Sequence, residues 1–191
     1  MKHYLFVVSC LSLVVSSTLV QAQEIPFGSY YTGAPISLFT IRDLDFGTIV
    51  AGDIKERTLG SGDEAVLELE GIPYLDVIVT ITAPDYVYLD GDDLCVLPAC
   101  RIPLTLNYAY TNNLELTDQI GSAILFATST VRFPIQRRVT GPPMPPPDPF
   151  LGSVTYPSAA AYIYIYGSLT SSISSSAGDY QNTITVTVEY F

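Results

Sequence analysis

Histidine is nearly missing from this sequence, and its one copy, His3, stands among residues that the mature protein is expected to lose. Lys2 and His3 form a short basic start, Tyr4 to Val20 is an apolar run punctuated by serine, and Val20-Gln21-Ala22 places tolerated residues at the positions before a signal-peptidase cut. Residues 1–22 therefore read as a signal peptide, with the mature chain beginning at Gln23 and no membrane span remaining after cleavage. A lipoprotein box at Val7-Val8-Ser9-Cys10 competes with this reading, but the apolar run continues for ten residues past Cys10, where a lipobox should stop. Without imidazole, the mature chain can build no Ser–His–Asp or Cys–His arrangement and no imidazole metal site.

Cysteine is almost as scarce. Cys10 leaves with the signal, and Cys95 and Cys100 remain in "CVLPAC". An even pair in an exported chain reads as a disulfide, which also takes the thiol nucleophile away. Basic residues are few as well. Of eight lysines and arginines against nineteen acids, removal of Lys2 leaves seven, a net charge of −12 with Lys55 as the only lysine. Such a surface repels nucleic acid and anionic membrane, so neither is expected as a partner. No glycine-rich phosphate loop follows a strand, and no pair among the acids stands out as a glycosidase dyad. The expectation is a non-enzymatic protein without a cofactor.

Helical periodicity is also lacking, and alternation takes its place. "ISLFTIR" (36–42), "EAVLELE" (64–70), "DVIVTIT" (76–82), "LTLNYAY" (104–110), "AYIYIYG" (161–167) and the closing "NTITVTVEYF" (182–191) each read as half-buried strands. Shorter candidates are "LDFGTIV" (44–50), "IKERTL" (54–59) and the region 123–135. Turn residues separate these runs at the intervals of an antiparallel sandwich of about eight to ten strands, all β, in one domain over 23–191. "GPPMPPPDPFLGSVTYP" (141–157) reads as a stiff surface loop, with six prolines between Pro142 and Pro149.

Three features could carry binding. Asp90, Asp92 and Asp93 in "YLDGDDLC" read first as a solvated turn and second as a calcium site, although the spacing of a helix-loop-helix calcium loop is not met. Tyr162, Tyr164 and Tyr166 share one strand face, either as an amphipathic cover for a sheet or as a platform for a subunit or a sugar. In the closing strand, Ile184, Val186, Val188 and Tyr190 are expected in the core of a strand deep in the sheet, with Thr183, Thr185, Thr187 and Glu189 on the wetter face. Gly178 and Asp179 supply the turn into it.

The two ends also resemble a family. "APISLFTIRDLDFGTIVAGD" (34–53) resembles the opening of a secreted bacterial domain family of unknown function, through Leu44, Phe46, Gly47, Ile49, Val50 and Gly52. Gly167, Leu169 and Thr170, then Gly178, Tyr180, Thr183, Ile184, Val186, Thr187, Val188 and Tyr190, match that family's close. This ending is similar to that of spore-coat-U-like proteins and chaperone–usher pilins, in which a glycine fourteenth from the end and a penultimate tyrosine mark the strand a periplasmic chaperone grips. Gly178 and Tyr190 hold those places. The resemblance implies an immunoglobulin-like sandwich in the periplasm, on the cell surface or in an extracellular appendage of a bacterium. It also implies a fimbria-like or surface-coat subunit that pairs strands with copies of itself, other subunits or a periplasmic chaperone. The chain differs from a typical pilin in its short disulfide loop, its proline insertion and its segment 23–35, where Pro26, Gly28 and Ser29 interrupt an apolar series. The rival expectation is a monomeric binding module for a glycan or calcium.

Overall fold

The computed structural model describes residues 36–113, 120–137 and 158–191, all within the unit Gly33–Phe191. The signal peptide, segment 23–35 and the proline-rich stretch 141–157 lie outside the described residues. Eleven strands form two antiparallel sheets, and among the described residues the only helical element is a 3₁₀ turn at Ile120–Ser122. The chain is an all-β antiparallel sandwich.

The larger sheet runs in the order β1 (Ser37–Arg42), β3 (Ala65–Gly71), β9 (Ala159–Thr170), β6 (Arg101–Thr111), β5 (Tyr86–Leu89) and β10 (Tyr180–Gln181). Beside this path, β2 (Ile54–Arg57) pairs with the end of β9, and β7 (Ile124–Phe126) with the end of β6. The smaller sheet is β11 (Thr185–Tyr190), β4 (Asp76–Thr82) and β8 (Thr130–Pro134), with β4 in the middle. Alternation decides which side chains meet. Leu67 and Leu69 of β3, Val77, Val79 and Ile81 of β4, Phe133 of β8, and Ala161, Ile163 and Ile165 of β9 form the buried layer between the sheets. Gly167 sits where β9 passes tightest against β6: a Cβ there would run into the carbonyl oxygen of Thr105, so no larger residue fits without parting the strands.

Two irregularities shape the molecule. Arg57 faces Gly167 and Ala65 faces Ile165, so β2 and β3 are one strand interrupted by an excursion over 58–64. The excursion packs Leu59 against the cluster of Val66, Ala109 and Tyr164 on the outer face of the larger sheet, and it is held by Glu64, a residue only 1% exposed. Glu64 Oε2 accepts from the Gly62 N–H at 2.8 Å, and Arg42 Nη1 lies 3.5 Å from Oε1. The second irregularity is a pair of sheet changes. The chain crosses from β4 in the small sheet to β5 in the large one through 83–85, and β10 and β11 make the reverse crossing alongside through 182–184.

Several strand expectations change. The stretch 44–50 is not a strand: Asp45 Oδ1 accepts from the Gly47 N–H at 2.7 Å and Gly47 takes φ +63°, which bends the backbone out of extended pairing. The region 123–135 is two strands joined by a turn, and β5, with only four residues and no clear polar row, adds a strand that alternation does not single out. The closing strand is not deep in its sheet. Among the described residues it is an edge, and Ile184, Val186, Val188 and Tyr190 are half-buried, because β4 is the one described strand that pairs with it and the opposing sheet covers its inner face only in part.

Candidate interaction site

The small sheet is shorter than the large one and leaves part of the inner face of the large sheet without a partner sheet. There Val87, Ile102 and Leu169 form a second apolar cluster, and residues 44–51 act as its cover: Phe46 is buried in it, with Leu44 and Ile49 packed alongside. The Leu–x–Phe–Gly opening and the Gly–x–Tyr close thus meet at one place. Between them lies a cleft of about 780 Å³, floored by Val87, Ile102, Leu104 and Leu169, roofed by Leu44, Phe46 and Ile49, and walled by Gly178 to Asn182 and Ile184. Asp45 and Asp179 also line it.

The geometry of the wall follows from hydrogen bonding. Tyr180 donates its hydroxyl proton toward the carbonyls of Ala99 and Ser176, each at 2.9 Å, and Asn182 Nδ2 donates to Tyr86 O at 2.7 Å. These bonds fix the crossing from β10 to β11. Gly178 stands two residues before β10, ahead of the crossing, and Asp179 uses its backbone carbonyl, which accepts from the Asp90 N–H at 2.7 Å.

Beyond the crossing, β11 presents an edge. Phe191 N–H donates to Asp76 O at 2.9 Å, and Thr187 and Glu189 face Thr80 and Ile78. In an antiparallel ladder residues two apart turn their amides to the same side, so the N–H and C=O groups of Val186 and Val188 point away from β4. Among the described residues no strand pairs with that side of β11. The side chains of Ile184, Val186 and Val188 still pack toward the core. The edge therefore combines outward main-chain donors and acceptors with an inner apolar row, beside a cleft with an apolar floor and polar walls. The Tyr190 hydroxyl accepts from the Ile72 N–H at 3.0 Å and ties the end of the strand to the turn before β4.

The remaining sequence candidates fall as follows. Cys95 and Cys100 are bridged, Cα to Cα 6.1 Å, inside the loop between β5 and β6. Asp90, Asp92 and Asp93 are exposed, Asp92 Oδ1 accepts from the Leu94 N–H at 3.2 Å, and among the described residues no three metal-binding side chains converge. Tyr164 is buried under Leu59, and Tyr162 and Tyr166 flank it half-buried, so the tyrosine row is covered by the chain's own excursion. Burial raises the Tyr164 pKa, and the Glu64 charge adds to it. Among the described residues no helix is long and apolar enough to cross a membrane.

The sequence reading missed the cleft and the exposed loop tip of Leu94, Val96 and Leu97. The available signal for the tip is an apolar triplet around the first of the two cysteines, Leu94 before Cys95 and Val96 and Leu97 after it. Among the described residues, fold and site define an antiparallel β-sandwich whose closing strand is an edge, with a cleft of apolar floor and polar walls at the place where the chain changes sheets. No family model, curated protein or solved structure matches this chain.

Proposed function

We propose that the mature chain is a non-enzymatic, secreted structural subunit of a bacterial envelope or surface appendage, fimbria-like or coat-like, that assembles by strand pairing. The observation that carries the reading is the outward edge of β11, with the amides of Val186 and Val188 turned from β4 and an apolar row behind them. Such an edge accepts an incoming strand: main-chain hydrogen bonds supply affinity, and alternate side chains supply selectivity. The likeness of the chain's close to subunits of this kind supports the same reading, as does the meeting of that close with the opening motif at the cleft.

The test removes one outward donor and leaves the β4 ladder alone. Val186→Pro takes away an N–H that faces the open side. The variant is expected to keep its circular-dichroism spectrum and a cooperative melt. The unaltered protein is expected to form fibres in negative stain, or a complex with a coexpressed periplasmic chaperone on size exclusion, and the variant should lose them. Unchanged assembly in a folded Val186→Pro protein would refute the reading. So would a permanently monomeric parent protein that binds a glycan saturably.

A further inference from the structure

The cleft and its surroundings share a chemistry that β11 alone does not show. Asp45 and Asp179 line the cleft, and Asp90 is bonded to Asp179 through the backbone at 2.7 Å. All three carboxylates are exposed. Of the nearby cations, Arg57 pairs with Asp63 at 2.8 Å and donates to the Asp45 carbonyl, Arg101 lies over the Tyr86 ring at 4.3 Å, and Lys55, opposite Leu169 of the cleft floor, is one charge against these three carboxylates. Beside this acidic rim stands the disulfide loop, whose Leu94, Val96 and Leu97 are 85%, 68% and 63% exposed. The loop is tied to the cleft wall at Ala99, which accepts from Ser176 N–H at 2.7 Å. An exposed apolar tip next to a cleft with an apolar floor and polar walls is a surface suited to a partner that is apolar at its centre and polar at its flanks.

We propose that this end of the sandwich docks an extended apolar segment flanked by lysine or arginine and belonging to another protein; the inference rests on the strand-pairing function above and names the partner's chemistry. Charge decides between occupants. A second copy brings a net −12 and would set its own aspartates against these, and this chain's segment 23–35 carries Glu24 and neither lysine nor arginine. Like charges brought together across an interface oppose docking, whereas a basic flank beside Asp45, Asp90 and Asp179 speeds encounter and fixes register.

Fluorescence anisotropy with the full mature protein tests this, using three labelled probes: a short alternating valine–threonine peptide flanked by lysines, the same core flanked by glutamates, and a serine-only core flanked by lysines. The lysine-flanked apolar peptide should bind about tenfold more tightly than its glutamate-flanked counterpart at low salt, from a few exposed pairs of modest strength each. Rising salt should shrink that preference. The triple variant Asp45→Asn, Asp90→Asn, Asp179→Asn should bring the two apolar peptides close to parity, and the serine peptide should not bind. Equal binding of both apolar peptides overturns the inference and leaves strand pairing standing. Tight binding of the serine peptide, or a preference that survives in the triple variant, overturns it as well. If no peptide binds while assembly remains sensitive to Val186→Pro, the basic partner is wrong and strand pairing is right. If no peptide binds and Val186→Pro assembles normally, both fall.

Discussion

At the scale of single residues, the outer face of the large sheet shows how a polar group is held inside an apolar layer. Tyr164 is buried with Val66 and Ala109 under Leu59, and the Glu64 carboxylate beside it is satisfied by the excursion it closes. Burial raises the pKa of Tyr164, and also those of Tyr108 and Tyr110 on the inner face. A phenol whose folded pKa lies above its unfolded value of about 10 favours the folded state fully below that pH, and the contribution is lost as pH climbs toward the raised value. Stability should therefore fall above about pH 10. Tyr164→Phe removes one titrating hydroxyl from a buried site, so it should change stability by at most about 1 kcal/mol at neutral pH and lessen the alkaline loss. Urea unfolding at neutral and alkaline pH measures both; an alkaline loss as steep as that of the unaltered protein would exclude Tyr164 as a contributor.

At the scale of elements, β11 is the instructive case. Its alternation was legible in the sequence, because period two fixes which side chains share a face. The half-buried row and the exposed row fall on the parities that the sequence assigns. Its place in the sheet was not legible, since an apolar row reads alike in a central strand and in an edge strand under a partly overlapping sheet. The same limit applies to residues 44–51, where an alternating stretch becomes a cover because Asp45 and Gly47 bend it. A pairing partner cannot be read from local pattern, nor can a cleft made by two segments more than a hundred residues apart. The parity has a direct consequence. Val186→Asp places a charge against the core layer and should destabilise the fold by roughly 2–4 kcal/mol, whereas Thr185→Asp stands in water and should change stability by less than about 0.5 kcal/mol. Chemical denaturation of both variants checks the contrast, and equal costs would mean that the inner row is not packed.

At the scale of the whole molecule, two constraints compete for credit in holding the fold: the disulfide and the layer between the sheets. The bridge joins residues only five apart in sequence, within a loop between two adjacent strands of one sheet. In the chain-entropy picture such a short loop contributes about 2 kcal/mol. The layer instead joins strands distant in sequence from both sheets, and Phe133 is its largest fully buried side chain, 2% exposed and stacked on Tyr110 at 4.1 Å between ring centroids. Truncating an aromatic in such a layer costs about 3–5 kcal/mol, a large part of the roughly 5–15 kcal/mol that holds a domain together. Phe133→Ala should therefore leave the protein unfolded or barely folded, while Cys95→Ser with Cys100→Ser should fold and lose at most about 2 kcal/mol. The serine pair should instead act locally, because freeing the loop that carries Leu94, Val96 and Leu97 loosens the tip beside the cleft and leaves the buried layer as it was. Hydrogen exchange separates the two effects: faster exchange confined to residues 90–100 in the serine pair, against faster exchange through β3, β4 and β9 in Phe133→Ala. Should removal of the bridge unprotect those three strands as well, the disulfide and not the layer between the sheets would be what closes the sandwich.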